Sequence, residues 1–373
     1  MRRKVLSLLL CGAMIISLSA CGDNSSTGEN AGKGTQDGVQ ETSQEAGGKD
    51  SKDLPILGAG IYSASDNFNS YIGKSIVNAS DGIFKTNIED GQNDQSTQTN
   101  QVDTMIAKGA KVIALSVCDT TAAPALIEKV KAAGNLPIIF FNKEITDEGV
   151  IDSYENAYQV TSTGGDYGAA IEGQMVADAW KANPDMDKNG DGKLQLVNLM
   201  GDPGHTASQP RADYVKSTIE DAGIEIDLLA EDTGMWVTAT AKDKMDAWIS
   251  KYGDEIECIV AANDAMALGA LTSIEAAGYN MKGTESEKYI PIIGIDALPE
   301  MLDKIESGEV MGSVLQDAKT QGQVIVKMAE NLINGKDACD GMDFKLDEAK
   351  AVRVPYQAIT KENLDVAKST YAK

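Results

Sequence analysis

The sequence predicts an α/β protein built as two doubly wound parallel-sheet lobes, and three observations carry that expectation. About 320 residues beyond residue 52 exceed what one hydrophobic core usually organises. Runs such as "KVIALSV", "LPIIFFN" and "LQLVNLMG" are apolar throughout rather than alternating, as strands covered on both faces are. Amphipathic helical patterns lie between most of these runs, several ending in Gly after Lys or Ala.

The elements follow from the N-terminus. "MRRK" is a basic n-region, and "VLSLLLCGAMIISLSA" is an apolar core of signal-peptide length. Leu18, Ser19 and Ala20 before Cys21 resemble a bacterial lipobox, so 1–20 reads as a lipoprotein signal peptide and Cys21 as its lipid anchor. Residues 21–52 are mostly Gly, Ser, Thr, Asn, Gln, Asp and Glu, a flexible tether. Strands are then expected in "PILGAGIY", "GIFKTNI", "KVIALSV", "LPIIFFN", "AYQVTS", "LQLVNLMG", "IEIDLLA", "IECIVAAN", "IPIIGID" and "EVMGSVLQ", with helices in "QTNQVDTMIAKG", "APALIEKVKAAG" and "AKDKMDAWISKYG".

Charge and cysteines narrow the function classes. The 373 residues carry 33 Lys and Arg against 57 Asp and Glu. Without Arg2, Arg3 and Lys4 the balance is about −27, which argues against nucleic acid and against anionic lipid headgroups. Cys118, Cys258 and Cys339 remain beyond Cys21, at unrelated spacings, so neither a disulfide framework nor a CxxC metal pair is expected. One His excludes a two-histidine metal site, and His205 has no G-x-S-x-G elbow to serve. No phosphate loop occurs, and "GAGIYS" is only part of a dinucleotide fingerprint.

In doubly wound folds ligands bind beyond the carboxyl ends of the strands. The residues that follow the expected strands are Asp66 and Phe68, Asn142, His205 and Arg211, Asn263 and Asp264, Asp296, and Gln316 and Asp317. Most are planar polar groups able to make paired hydrogen bonds. With Phe68 and Trp236 as flat apolar faces, they suit a polyhydroxylated ligand with one apolar side, such as a pyranose. Taken singly, Asp66 reads as a helix N-cap, and Trp236 as a core residue at a helix start.

"DKNGDGKLQ" is the first nine residues of an EF-hand loop: oxygens from Asp187, Asn189 and Asp191, a turn at Gly192, the Lys193 carbonyl, and Gln195. The residue at position 12 is Asn198 instead of Glu, and a strand follows instead of a helix. A calcium loop lacking its last carboxylate and a solvated Asp/Asn/Gly turn both fit.

From Leu54 to Leu364 the chain resembles the galactose/glucose-binding members of the type I periplasmic binding proteins. The runs that carry the resemblance include "DNF", "GQNDQS", "FFNKE", "DKNGDG", "PGH", "AKDKMDAW", "NDAMA", "DALPE" and "VRVPY". It implies two lobes joined by a three-segment hinge, the first 53–162 plus 317–348 and the second 163–316 plus 349–373. It implies sugar contacts from Asp66, Asn142, His205, Arg211, Asn263 and Asp296, a pyranose sandwiched by Phe68 and Trp236, and Gln316 beside them. It supplies Glu257 as the distant bidentate ligand, completing a structural Ca²⁺ site with Asp187, Asn189, Asp191, Lys193 and Gln195.

Two positions depart from the pattern. Ala207 stands where the family has Asp, which takes a carboxylate from Arg211, and Gln316 stands where it has Asn. Ser208, Gln209 or a water is expected to fill the gap, or a glycoside with a substituted anomeric oxygen to use it. The implied function is a monomeric, lipid-anchored hexose-binding protein on the outer face of the cell membrane that delivers sugar to an ABC importer. A sensor presenting its closed form to a chemoreceptor, and a carbohydrate-active enzyme using Asp66 and Asp296, are the alternatives.

Overall fold

The computed structural model describes residues 54–162 and 164–371. The signal peptide, Cys21 and the tether therefore lie outside the described residues. In chain order the first lobe holds β1 (Ile56–Ile61), α1 (Asn67–Ala79), β2 (Lys85–Asp90), α2 (Gln95–Ala107), β3 (Ala110–Leu115), α3 (Ala123–Ala132), β4 (Ile138–Phe141) and β5 (Ala157–Ser162). The second holds α4 (Ala169–Ala182), β6 (Lys193–Met200), α5 (Ser208–Asp221), β7 (Glu225–Thr233), α6 (Thr238–Tyr252), β8 (Cys258–Ala261), α7 (Asp264–Ala276), β9 (Met281–Thr284), β10 (Ile292–Asp296), α8 (Pro299–Ser307) and β11 (Gly312–Gln316). The chain closes with α9 (Ala318–Ile333), β12 (Ala351–Val354), β13 (Tyr356–Ile359) and α10 (Leu364–Tyr371).

Two six-stranded sheets result, ordered β12-β5-β4-β3-β1-β2 and β13-β11-β10-β8-β6-β7. Every pairing is parallel except β11 with β13. The two orders are equivalent, and each reverses direction once, between β1 and β3 and between β6 and β8. Such a switch point leaves a crevice at the carboxyl ends of the strands.

The apolar runs are buried on both faces because their side chains alternate between two helical layers. In the first sheet Leu57, Ala59, Ile139 and Phe141 pack under α1 and α9 with Ile72, Ile76, Ile325 and Met328. Their neighbours Ile113, Leu115, Ile138 and Phe140 pack under α2 and α3 with Val102, Leu126, Ile127 and Val130. In the second sheet Val197, Leu199, Ile259 and Ile292 face α6, α7 and α8, while Leu194, Leu196, Val260 and Ile293 face α4 and α5. Each fully buried Val, Leu, Ile, Phe or Met side chain among these contributes roughly 1.5–3 kcal/mol through the apolar surface it hides.

The chain crosses between lobes three times: from β5 to α4, from β11 to α9, and from β12 to β13. The last crossing corrects the expected lobe boundary. Residues 351–354 belong to the first lobe, where β12 pairs with β5 from Ala351↔Gln159 to Val354↔Ser162. The crossover sits at the single exposed residue Pro355, whose lack of an N–H suits a position between two ladders. The lobes also touch across the cleft. The Tyr71 ring meets Tyr371 edge-on at 5.0 Å, its hydroxyl donates to Glu300 at 3.4 Å, and Lys319 Nζ donates to the Ser369 carbonyl.

Cys118, Cys258 and Cys339 are free thiols. Among the described residues no helix is long and apolar enough to cross a membrane.

Candidate functional site

The two switch points face one another, and between them lies a small cavity of about 20 Å³ lined by Asp66, Phe68, Asn142, Tyr167, His205, Ala207, Arg211, Trp236, Asn263, Asp296 and Gln316. The nine side chains singled out from the sequence as ligand contacts all line it. Asp66, Phe68 and Asn142 come from the first lobe and the other six from the second.

On the first-lobe side Asp66 is also the helix cap that its isolated reading expected. Its Oδ1 accepts from the Asn69 N–H at 2.7 Å at the start of α1, and its Oδ2 accepts from the Tyr62 hydroxyl at 2.5 Å. Burial and the neighbouring Asp66 carboxylate raise the Tyr62 pKa well above 10, so Tyr62 remains a donor. Asn142 follows β4 with φ +65°, a left-handed conformation that Asn tolerates better than most residues.

On the second-lobe side the loop after β6 brings in His205, whose Nδ1 accepts from the Ala207 N–H at 3.1 Å. Burial, then the positive charges of Lys143 and Arg211, hold its pKa well below 6.5. The imidazole is therefore neutral, with its proton on Nε2 as a donor. Asn263 caps α7 through Oδ1, accepting from Met266 N–H at 2.9 Å. Asp296 ends β10 at φ +130° and is almost fully buried. Its pKa stands well above the carboxylate range, first through burial and then through Asp264 and Asp66, with Arg211 opposing.

Trp236 lies before α6 rather than in it, at φ +63°, so its side chain is aimed by a strained backbone instead of by a helix face. The indole lies against Gly201, where any Cβ would stand 2.0 Å from Trp236 Cζ2. His205 meets it edge-on at 5.2 Å, and the Arg211 guanidinium stands 5.7 Å from its ring.

Arg211, in the first turn of α5, is held by four protein acceptors. Nε donates to the Tyr167 carbonyl (3.0 Å), Nη1 to the Ala262 carbonyl (2.6 Å), and Nη2 to Gln316 Oε1 (3.0 Å) and the Tyr356 hydroxyl (3.3 Å). The two departures from the family pattern thus meet in one place. Neither Ser208 nor Gln209 fills the space at Ala207: Ser208 Oγ has no hydrogen-bond partner, and Gln209 binds Asp213 on the surface of α5. Gln316, longer by one methylene than Asn, reaches the guanidinium instead.

The sequence reading missed Tyr167, Tyr356 and Glu172. Tyr167 and Tyr356 sit on two of the crossing segments; Tyr167 lines the hinge side of the cavity and Tyr356 accepts from Arg211 behind it, roles that no strand-end rule selects. Glu172 on α4 is fully buried with neither carboxyl oxygen hydrogen-bonded, and burial raises its pKa well above 4.5. Asp264, noted after its strand, faces away from the cavity and accepts from Leu298 N–H and Ser313 Oγ, which fixes the loop carrying Asp296. Asp317 likewise caps α9, accepting from Thr320.

The 187–195 loop lies on the second lobe, distant in chain and in lining residues from this cavity. Asp187 accepts from Gly190 and Gly192 N–H, Asn189 Oδ1 from Asp191 N–H, and Asp191 Oδ1 from Lys193 N–H. Gly190 and Gly192 take the positive φ values, +74° and +78°, that this tight loop needs. Glu257 reaches the same loop: its two oxygens accept from Lys188 and Gln195 N–H. Gln195 donates to Asp191 Oδ2, and its own Oε1 is buried without a donor. The side-chain acceptors here are all oxygens, the set that a hard cation takes. Among the described residues, however, no three His, Cys, Asp or Glu groups stand in a cluster that could hold a metal ion; these carboxylates are engaged with backbone N–H groups.

Comparison with known proteins agrees with the architecture. The periplasmic binding protein domain family matches residues 59–337. The D-galactose/methyl-galactoside binding periplasmic protein MglB of Haemophilus influenzae is 42% identical over 311 residues, covering 83% of this chain and 90% of that protein. A xylitol-binding protein of Mycolicibacterium smegmatis is 30% identical, over 74% of this chain and 68% of that protein. An ABC transporter solute binding protein from Bacillus halodurans, solved with bound myo-inositol, superposes with a TM-score of 0.67 at 27% identity over 85% of this chain and 98% of that one. With paired doubly wound lobes, three crossings, a cavity between them and these relatives, the chain belongs to the periplasmic binding protein family.

Proposed function

We propose that this protein is the sugar-binding component of an ABC importer and that it binds a hexose between its lobes. The observation that carries the reading is the lining of the cavity: three side chains of one lobe and six of the other converge on one small space between the lobes. A ligand there gains its full set of contacts only when the lobes are together. It therefore favours the closed arrangement by its differential affinity, and the importer reads that arrangement. Neutral His205 and Arg211 donate, Asp66 and Asp296 accept, and Phe68 and Trp236 cover the apolar side of the ring. The polar groups surround a ligand rather than flank one bond, which favours binding over hydrolysis. Calorimetric titration with D-galactose and D-glucose tests this. Micromolar or tighter binding of either is expected, and absence of binding from folded protein overturns it.

The same reading extends to three points. The 187–195 loop with Glu257 takes a structural Ca²⁺ that ties the loop to the lobe. Its support is the buried, donorless Gln195 Oε1 within an all-oxygen surround. Chelation should lower the melting temperature, Ca²⁺ should restore it, and Glu257→Ala should abolish the difference. Cys21 carries lipid, which predicts palmitate labelling of the wild type and release of Cys21→Ala into the medium. The protein acts as a monomer serving an importer; a sugar-dependent complex with a chemoreceptor instead would make it a sensor.

A further inference from the structure

A second cavity, of about 340 Å³, shares no residue with the one described above. Lys74 and Asn78 of α1 and Lys319 and Gln323 of α9 line it from the first lobe, and Thr370 and Tyr371 of α10 line it from the second. No carboxylate lines it, although the chain holds 57 acids and a net charge of −24. Elsewhere on the surface lysines pair with acids, as Lys129 does with Asp103 and Lys336 with Asp340. Lys74 and Lys319 do not. The Lys74 ammonium stands over the Tyr71 ring at 4.6 Å, and Lys319 Nζ donates to the Ser369 carbonyl at 3.1 Å. An ammonium has three N–H donors, so most of theirs are unused. The side chains of Asn78, Gln323 and Thr370 make no hydrogen bond among the described residues. Asp317, beside this wall, turns its carboxylate onto Thr320. Lys319 lies in the first turn of α9, so the positive end of that helix dipole meets the same wall.

The wall is thus rich in donors and positive charge and holds no anion of its own. Two ammoniums match a group of about two negative charges. A phosphate monoester carries about −1.5 to −2 at neutral pH and has three acceptor oxygens, and inorganic phosphate is similar. A carboxylate or a phosphodiester brings only one charge. The volume lies within the usual ~300–1,000 Å³ of small-molecule pockets.

We propose that this cavity binds a dianionic phosphate, with Lys74 and Lys319 on its charge and Asn78, Gln323 and Thr370 donating to its oxygens. Both lobes line the cavity, so the phosphate binds best when they are together. Tyr371 ties it to the sugar site, because its hydroxyl donates to the Asp296 carbonyl at 3.3 Å. Phosphate therefore tightens sugar binding by the same factor by which sugar tightens phosphate. Only this coupling rests on the hexose reading above.

Calorimetry at low ionic strength with inorganic phosphate, glycerol 3-phosphate and dimethyl phosphate tests it, each with and without saturating galactose or glucose. Inorganic phosphate or glycerol 3-phosphate should bind one per chain with a Kd below about 1 mM. The singly charged dimethyl phosphate should bind at least tenfold more weakly. A monoester tenfold tighter than the free ion names an organic phosphate as the ligand, and equal affinities name the free ion. Lys74→Glu and Asn78→Asp place negative charge at exposed positions. Each should weaken phosphate at least tenfold and leave the sugar Kd in phosphate-free buffer within twofold. Saturating sugar should tighten phosphate at least threefold. Phosphate that does not bind, that binds no tighter than dimethyl phosphate, or that binds both variants as it binds wild type overturns the site. Equal phosphate affinity with and without a sugar that does bind overturns the coupling. Phosphate binding of the expected kind in a protein that binds neither sugar overturns the hexose reading and leaves the site standing.

Discussion

The contact between Gly201 and Trp236 makes a demanding test of the site. A methyl group at position 201 would sit 2.0, 2.1 and 2.3 Å from Cζ2, Cη2 and Cε2 of the indole. Carbon atoms rest at about 3.5–4.0 Å, so the ring must move by roughly 1.5–2 Å. It has little freedom to do so. Met235 and Trp236 both hold positive φ, and Gly234 just before them is crowded by Met266. Overpacking of this kind costs about 1–3 kcal/mol of stability. The displaced ring also ceases to cover the ligand, a loss of about 1–2 kcal/mol, or roughly 5- to 30-fold in Kd. Gly201→Ala should therefore lower both the melting temperature and the affinity for the bound sugar, read by scanning calorimetry and by titration. Gly204→Ala is the control, because its new Cβ meets nothing closer than Asp202 Oδ1 at 3.4 Å. Wild-type Kd and melting temperature in Gly201→Ala would refute the reasoning, since the indole would then not be held by this glycine.

Three further outcomes are expected. Glu172 has a folded pKa raised by burial above its unfolded value near ~4.3, so the folded state binds the extra proton. Its contribution is complete below about pH 4.3 and is lost as pH rises through the raised value. Glu172→Gln should thus match wild type near pH 4 and gain melting temperature by pH 8, whereas a pH-independent difference in calorimetry would contradict this. Arg211→Met leaves the carbonyls of Tyr167 and Ala262 and Gln316 Oε1 without a buried donor, at about 1–3 kcal/mol each. A fall of several degrees in melting temperature and at least 100-fold weaker sugar binding should follow, with little rescue by Arg211→Lys, which lacks the planar fork. Tyr71→Ala removes the contact with Tyr371 and Glu300 across the cleft without touching the cavity lining. The Kd should rise about 2- to 10-fold, and small-angle scattering should show a larger open fraction at subsaturating sugar; unchanged affinity would mean that this contact does not favour closure.

All ten expected strands formed, because uninterrupted apolar runs between Gly-closed helices leave few alternatives to a buried parallel strand. What the sequence hid was short or three-dimensional. The strands β9, β12 and β13 have four residues each, too few to show a period. The run "AVRVPYQAI" reads as one segment until Pro355 separates a strand of one sheet from a strand of the other. Glycosidase-like carboxylates and cavity residues alike were legible as strand-end polar groups, yet the same rule also selected Asp264 and Asp317. These two cap and brace, and only packing tells them from Asp66 and Asp296. Tyr167 and Tyr356 escaped because their roles depend on the hinge segments converging. The replacement at Arg211 was legible as a missing carboxylate at Ala207, but its answer, Gln316, lies 105 residues away in the chain.

Asp66 and Asn263 each fit two readings, helix cap and ligand contact, and the geometry makes these one role. At a switch point the carboxyl end of a strand leads directly into a helix N-terminus, so the residue that caps the helix also borders the crevice. Asp66 Oδ1 accepts from the Asn69 N–H and from Asn69 Nδ2, and Oδ2 accepts from Tyr62 and still has a lone pair for a ligand hydroxyl. Asn263 gives Oδ1 to Met266 and leaves its amide hydrogens near the cavity, with only a long 3.4 Å approach to the Trp236 carbonyl. Capping thus locks the rotamer before any ligand arrives. A side chain already held in place loses little conformational freedom on binding, a saving of about 0.5–1.5 kcal/mol for each rotamer-rich group. The same bonds that start α1 and α7 therefore raise affinity for whatever fills the cavity. Replacing Asp66 should weaken ligand binding and the α1 terminus together, because one carboxylate serves both.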